Sequence, residues 1–306
     1  MSQTTVFQST IANQLKDTLD GVETDGSDGL EAKAVYKKFV DVGNMPDAYL
    51  DDLEMGGPQL MSVKEEGTEI QAMGLNEGNI KRYIPRVLAG KLIITQEAME
   101  DGKYPESIDM AKHLKRSAVQ TIEYDWGIFL GRATSSNQLG ADGVAWASTA
   151  HTLPNGGTFS NMLGTAAALS TIALSNAFAQ LMQMPGYNGL ISPVMPKCVV
   201  YPVQLWGTAA KIKGSSNDPE PNNFSAINVI KNDYGDLDWI PEPFWTATTT
   251  KWFVRTDAAK GLRHLWKRKY STRTWVDNDN QVMKHAATQR YAIGHTNARG
   301  ALFSDS

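Results

Sequence analysis

The chain has 306 residues, 42% hydrophobic and 20% charged, with a net charge of −4. That length can bury a substantial core and suggests about two domains, and that composition is of a folded chain rather than a disordered one. The acidic balance argues against a protein whose main task is gripping nucleic acid, and a lone cysteine, Cys198, excludes an internal disulfide and a cysteine-built metal site.

The opening MSQTTVFQST has neither a basic n-region nor an apolar h-region, so no secretory signal is read there. No run of about 18 apolar residues exists to span a bilayer, and a cytoplasmic product is expected. Met1–Leu30 is polar and acidic, with Asp17, Asp20, Glu23, Asp25 and Asp28. Ile11, Leu15 and Leu19 form one apolar stripe if the segment is helical, but it is too poor in apolar residues to fold alone. Ala34–Val42 is strand-like and leads to Asp51, Asp52 and Glu54, read as a solvated acidic face. Gly56, Gly57 and Pro58 break the chain.

Two strand-like runs follow, Leu60–Met73 outgoing and Asn79–Thr95 returning, with Gly74, Leu75, Asn76, Glu77 and Gly78 as the turn. Pro85 makes the return run an edge or exposed ribbon. An isolated two-stranded ribbon is marginal in water, so this one is expected to lie on another surface.

Glu106–Ala133 carries the strongest pattern. Apolar residues recur at Ile108, Ala111, Leu114, Ala118, Ile122, Trp126, Phe129 and Ala133, a mean step of about 3.6 residues, the helical period. The opposite face has Lys112, Lys115, Arg116, Gln120 and Glu123, suited to solvent or a neighbouring subunit. Further on, Ser170 opens a helix with Leu174, Phe178 and Leu181 on one face, ending before Pro185 and Gly186. Pro193–Tyr201 reads as a strand and Pro202–Lys213 as a helix with proline first and Gly214 just beyond. Gly214–Asn223 is a surface loop, Leu237–Ile240 and Trp252–Arg255 are strands, and Leu262–Val276 with Gln281–Ile293 form a hairpin around Asp277–Asn280.

Chemical motifs are sparse. Ser148 and His151 invite a Ser/His hydrolase reading, since a nucleophilic serine needs a base in reach, but no G-x-S-x-G elbow accompanies them. Beside Pro154, Gly156 and Gly157 the same residue types suit a hydrogen-bonded loop. His113, His264, His285 and His295 stand without HExxH or CxxC partners, and neither GxxxxGK[ST] nor GxGxxG occurs, so no metal or nucleotide cofactor is expected. Cys198, within a strand-like run, reads as a buried inert thiol. The last hairpin is basic, with Arg263, Lys267, Arg268, Lys269 and Arg273 near Trp266, Tyr270 and Trp275. Such residues can bind nucleic acid, or match the acidic segment of another subunit; subunit contact is the favoured use.

The order of these parts resembles the major capsid protein of tailed bacteriophages, a fold also used by encapsulin shells. The residues that carry the resemblance are Glu66–Ile70 opening the loop, Ile94–Ala98 before the long helix, Ser148–His151 with Gly157, Ser160 and Asn161, Leu169–Ser170, Val199–Pro202 and Trp252–Val254. It covers the chain from about Ala34 onward, and each motif is weak while their order is specific.

The resemblance implies an α+β phage capsid fold: an N-terminal arm (1–30), a first part of a peripheral domain (31–59), an extended two-stranded loop (60–95), the peripheral domain with its spine helix (96–186, helix 106–133), an axial domain (187–261), and a closing hairpin with a tail (262–306). It implies a non-enzymatic protein of the virion that assembles with itself into hexamers and pentamers of an icosahedral shell around double-stranded DNA. DNA would be touched only non-specifically, no membrane would be involved, and assembly contacts would fall on Gly74, Leu75, Asn76, Glu77, Gly78, Lys81, Arg82, Arg263, Lys267 and Arg268. Some members begin with a long scaffolding segment that is cut away. Met1–Leu30 is too short to be one, which implies a separate scaffolding protein, besides a portal and decoration proteins. The alternatives are a cellular encapsulin-like shell holding enzyme cargo, and the Ser148/His151 hydrolase.

Overall fold

The computed structural model describes residues 34–55, 60–70, 72–74, 77–95, 97–98, 101, 104–154, 156–219, 226–245, 250–277, 279 and 282–305. The acidic segment Met1–Leu30 and the tip residues Leu75 and Asn76 lie outside them. Helix α1 spans Tyr104–Gly131, about 42 Å at 1.5 Å per residue. Its predicted apolar face is its buried one: Ala111, Ile122, Trp126 and Phe129 are all covered.

Among the described residues, α1 lies across a four-stranded sheet ordered β1 (Asp41–Asn44), β10 (Leu262–Asp277), β11 (Val282–His295) and β4 (Arg86–Thr95). The predicted hairpin forms as β10–β11 and takes the centre of that sheet, and β4, the part of the return run that follows Pro85, is an edge strand, in keeping with the edge reading. Gln289 on β11 donates to the Ala118 carbonyl of α1 at 3.1 Å, and Asp125 of α1 takes Arg86 and the Tyr291 hydroxyl. Alternate residues of the strands therefore face the helix.

The strand pairing of the extended loop differs from expectation. Among the described residues of Leu60–Met73 there is no strand. The return run is split at Pro85 into β3 (Glu77–Tyr83) and β4, because proline has no N–H to give a ladder. β3 pairs with β2 (Leu50–Met55), Met55 opposite Glu77 and Leu50 opposite Tyr83, so the intervening stretch, of which 60–70 and 72–74 are described, leaves from and returns to a two-stranded base. Ala34–Val42 is likewise not one strand. A 3-10 turn at Tyr36–Lys38 buries Tyr36 before β1 begins.

A short pair, β5 (His151–Thr152) and β6 (Thr158–Phe159), follows α1, and the second four-stranded sheet runs β12 (Ala301–Ser304), β9 (Trp252–Thr256), β7 (Pro196–Pro202) and β8 (Asp238–Glu242). β9, β12 and most of β7 are buried on both faces and mostly apolar, while the edge strand β8 is half-buried. Cys198, Val200, Ile240 and Phe253 join the core under α1, while Val199, Tyr201, Trp252 and Val254 face the other core. That second core is closed by α2 (Thr171–Met182), α3 (Trp206–Gly214) and α4 (Val229–Asp233). Ser170 caps α2 by accepting from the Ala173 N–H at 3.1 Å. Cys198 is buried, and burial pushes its thiol up to about 12, so it is inert. Residues Ala301–Ser304, expected in the tail of the closing hairpin, pair with β9 and seat Leu302 and Phe303 in the two cores.

Candidate assembly surface

The β2–β3 base is fixed by carboxylates. With Leu50 facing inward, the two-residue period turns Asp52 and Glu54 inward as well. Both are buried rather than solvated, which corrects the acidic-face reading. Asp52 receives Lys260 at 2.7 Å, the Thr296 hydroxyl at 2.8 Å and Arg263. Burial opposes its charge, but hydrogen bonds from Lys260 and Thr296 and the Arg263 charge prevail, and its pKa lies below the ordinary value. Thr296 in turn accepts from the Tyr83 hydroxyl at 2.7 Å. Glu54 accepts from the Tyr187 hydroxyl at 2.6 Å. Gly78 is required opposite it: a Cβ there would stand 2.7 Å from the Glu54 carbonyl oxygen.

The predicted contact residues divide accordingly. Arg82 makes a paired bond to the Asp51 carboxylate, 2.6 Å on each oxygen, and Lys81 donates to the Leu139 carbonyl at 2.6 Å. Lys267 is held by the carbonyls of Pro46 and Asp47, and Arg263 by Asp52. Lys81 and Arg263 thus anchor the ribbon to its own body, Arg82 ties its two strands to each other, and Lys267 holds the loop that precedes β2. Gly74 and Glu77 are exposed. Arg268 is exposed too, with one N–H on Thr288 Oγ1 at 2.9 Å.

Beyond the base, apolar side chains point into solvent. Leu60, Met61, Val63 and Ile70 are 77%, 89%, 95% and 78% exposed. Ile84, Val87 and Ile93 are exposed as well. Large apolar side chains exposed together in one segment, as in 60–70, mark an interaction site. Each such side chain gains about 2 kcal/mol when buried.

Glu123, expected on the solvent face of α1, is buried and accepts from the Val35 N–H at 2.6 Å. The sequence signals for these buried acids are weak: strand parity finds Asp52 and Glu54, but nothing local to Glu123 announces its distant partners.

Ser148 and His151 do not form a dyad. His151 is buried, with Nδ1 at 2.6 Å from Asp142 and Nε2 at 3.2 Å from the Trp146 carbonyl. Burial works against the Asp142 charge, but the hydrogen bond and charge of His151 hold its pKa below the usual range. The Ser148 hydroxyl accepts from the Ala150 N–H at 3.2 Å. Both ring nitrogens are engaged, so neither is directed at Ser148. The loop is further locked by Asn161, which accepts from the Ser148 N–H at 2.9 Å and donates to Trp146 and Ala298. Among the described residues no group of His, Cys, Asp or Glu is placed to hold a metal ion, and no helix is long and apolar enough to cross a membrane.

Comparison with known proteins agrees with this architecture. No curated protein sequence matches. Among solved structures, a virus-like particle from Pyrococcus furiosus is similar at a TM-score of 0.54, with 10% identity over 96% of this chain and 98% of that one. A chain of Microbacterium phage Oxtober96 gives 0.53, with 8% identity over 89% and 90%. An encapsulin complex from Synechococcus elongatus also gives 0.53, with 9% identity over 89% and 86%. At such identities these matches show the fold. The family model described as phage capsid protein matches residues 82–302. The chain belongs to the phage capsid protein family: it is a shell-forming structural protein of the virion, with the fold that phage heads share with encapsulins.

Proposed function

We propose that this protein is the major head protein of a tailed phage, assembling as hexamers and pentamers into an icosahedral shell that encloses double-stranded DNA. The observation that supports this reading is the excursion at residues 56–76. Its Leu60, Met61, Val63 and Ile70 find no cover among the described residues, while its base is fastened by Asp52, Glu54 and Lys81. A rigid base carrying an uncovered apolar limb suits a subunit that buries it on a neighbour. Standard interfaces bury about 1,600 Å² in total, and a shell subunit with several neighbours exceeds that many times over. In this reading the first sheet with α1 is the peripheral domain and the second sheet with α2–α4 the axial domain. A separate scaffolding protein, a portal and decoration proteins complete the head, and DNA is touched without sequence preference.

Because Met55 stands opposite Glu77, residues 56–76 can be replaced by a two-residue Asn-Gly turn that leaves the β2–β3 pair intact. The expected result is a soluble, folded subunit that forms no shells under the microscope. Normal shells from that deletion would overturn the reading. The second reading, an encapsulin-like shell with enzyme cargo, is favoured by the similarity to the Synechococcus encapsulin complex. Nuclease-protected DNA inside purified particles separates the two.

A further inference from the structure

The two acids that turn inward at the ribbon base are held in different ways. Asp52 is met by cations, Lys260 at 2.7 Å and Arg263, with the Thr296 hydroxyl at 2.8 Å. Glu54, two residues on, is as deeply buried but meets a hydroxyl in place of a cation: that of Tyr187, from the loop after α2, at 2.6 Å. Among the described residues, the other groups facing Glu54 are Asp52 on its own strand, Tyr83 on β3, Asp142 on the loop after α1 and His151 on β5. Lys81 and His295 face Asp142, and Arg299 faces Tyr187. In this setting burial, above all, pushes Glu54 up to about 7.

The Tyr187 oxygen also lies 3.2 Å from Asn297 Oδ1, just after β11. Two further bonds fix which end of that amide is oxygen: Nδ2 donates to the Ala259 carbonyl at 3.2 Å, and Oδ1 accepts from the Arg299 N–H at 2.9 Å. Tyr187 therefore stands between two acceptors with one hydrogen to give. With Glu54 ionised, that hydrogen goes to the carboxylate, and Tyr187 and Asn297 meet oxygen to oxygen. With Glu54 protonated, the carboxyl donates to Tyr187 and Tyr187 donates to Asn297. Only then are both short contacts hydrogen bonds.

We infer that Glu54, Tyr187 and Asn297 form a proton-operated latch on the ribbon base, closed when the Glu54 carboxyl holds a hydrogen and half-open when it does not. The latch ties together three separate parts of the chain: β2, the loop after α2 and the segment after β11. That last segment also carries the other fastening, since Thr296 donates to Asp52 and receives the Tyr83 hydroxyl at 2.7 Å. The two fastenings respond differently to pH. Asp52, with its cations, has a pKa below the ordinary value and stays ionised and held through the neutral range. Glu54 loses its proton there, and its new charge faces those of Asp52 and Asp142. Glu54 lies next to Met55 and opposite Gly78, at the end where the exposed apolar stretch leaves. Ionisation therefore loosens the root of that stretch while the Asp52 end stays pinned. The latch is a property of the single subunit and does not depend on the shell reading.

The test is infrared spectroscopy and amide hydrogen exchange on the full chain at pH 6 and pH 8.5. At pH 6 the wild-type spectrum should hold a protonated-carboxyl C=O band that is missing from Glu54→Gln and gone by pH 8.5. In Tyr187→Phe that band should move to higher wavenumber, because the carboxyl has lost its acceptor. Glu54→Gln keeps an N–H for Tyr187 at every pH and so imitates the closed latch. Protection of the β2 and β3 amides, each taken relative to the unprotected rate at the same pH, should fall about tenfold in wild type between the two pH values. It should stay level in Glu54→Gln, and at pH 6 it should drop in Tyr187→Phe. A pH 6 spectrum that Glu54→Gln leaves unchanged would overturn the latch. So would an equal pH dependence of protection in wild type and Glu54→Gln, or full protection of the ribbon in Tyr187→Phe at pH 6.

Discussion

Tyr187 donates its hydroxyl hydrogen to Glu54 Oε1 across 2.6 Å. The bond joins the base of the protruding ribbon to the loop after α2, two places far apart in the chain. Burial, with the Asp142 and Asp52 carboxylates nearby, pushes Glu54 up to about 7, although the Tyr187 bond and His151 pull the other way.

That shift has a sign. A carboxyl whose folded pKa is raised from 4.5 to about 7 favours folding in its protonated form. Its stabilisation is complete below the lower value and fades as pH climbs through the higher one. Between pH 5 and pH 8 the wild-type subunit should lose stability relative to Glu54→Gln by about 3 kcal/mol at most. Urea melts of the two proteins at both pH values check this. Parallel losses would show that another group titrates.

Arg255 is buried and donates to the carbonyls of Thr256 at 2.6 Å, Gly300 at 2.9 Å and Phe39 at 3.2 Å, while pairing with Asp41 at 2.9 Å. It binds the segment before β1 to the second sheet. Arg255→Met removes every donor and leaves those acceptors buried, so a loss of about 3–5 kcal/mol is expected in chemical denaturation. Arg255→Lys should recover little, because one ammonium cannot reach four directions.

Gly127 is where α1 meets the chain after β8. A Cβ there would stand 2.4 Å from the Phe244 carbonyl oxygen and 2.6 Å from its Cβ. These are backbone-fixed atoms that cannot swing aside. Gly127→Ala should destabilise by about 3 kcal/mol through overpacking, despite alanine's better helix propensity. Gly74→Ala, with no atom within 4 Å, is the control and should not change the melting midpoint.

His151→Ala separates structure from chemistry. The variant loses contacts to Asp142 and Trp146, so its melting midpoint should fall by several degrees, the equivalent of about 1–2 kcal/mol. Its background rate on simple esters should not change. A rate that drops with His151 would reopen the hydrolase reading.

The sequence patterns that succeeded are those that depend on periodicity and punctuation. The eight apolar positions from Ile108 to Ala133 describe α1, and Ser170 with Pro185 brackets α2. Asp277 to Asn280 separates the two strands of the hairpin. What escaped was long-range partnership. Leu60–Met73 has alternation enough for a strand, yet β3 found its partner in Leu50–Met55 instead, and β4 found β11. Local pattern cannot choose between two candidate partners. Glu123 likewise looks solvent-facing on a helical wheel, and only the arrival of Val35 at 2.6 Å buries it. The basic hairpin was legible as charge, but Arg263 and Lys267 turned out to be committed to Asp52 and to the Pro46 and Asp47 carbonyls. Arg268, Lys269 and Arg273 remain exposed.

Strand β12 reaches into both cores at once, through Leu302 on one side and Phe303 on the other. During synthesis, neither core can close until residues 301–304 have cleared the ribosome exit tunnel. A nascent chain therefore shows its sticky limb before its body is finished, at a moment when polysomes hold many siblings close together. Such half-made chains invite misassembly, so the placing of Leu302 and Phe303 ties both cores to a strand that is made late.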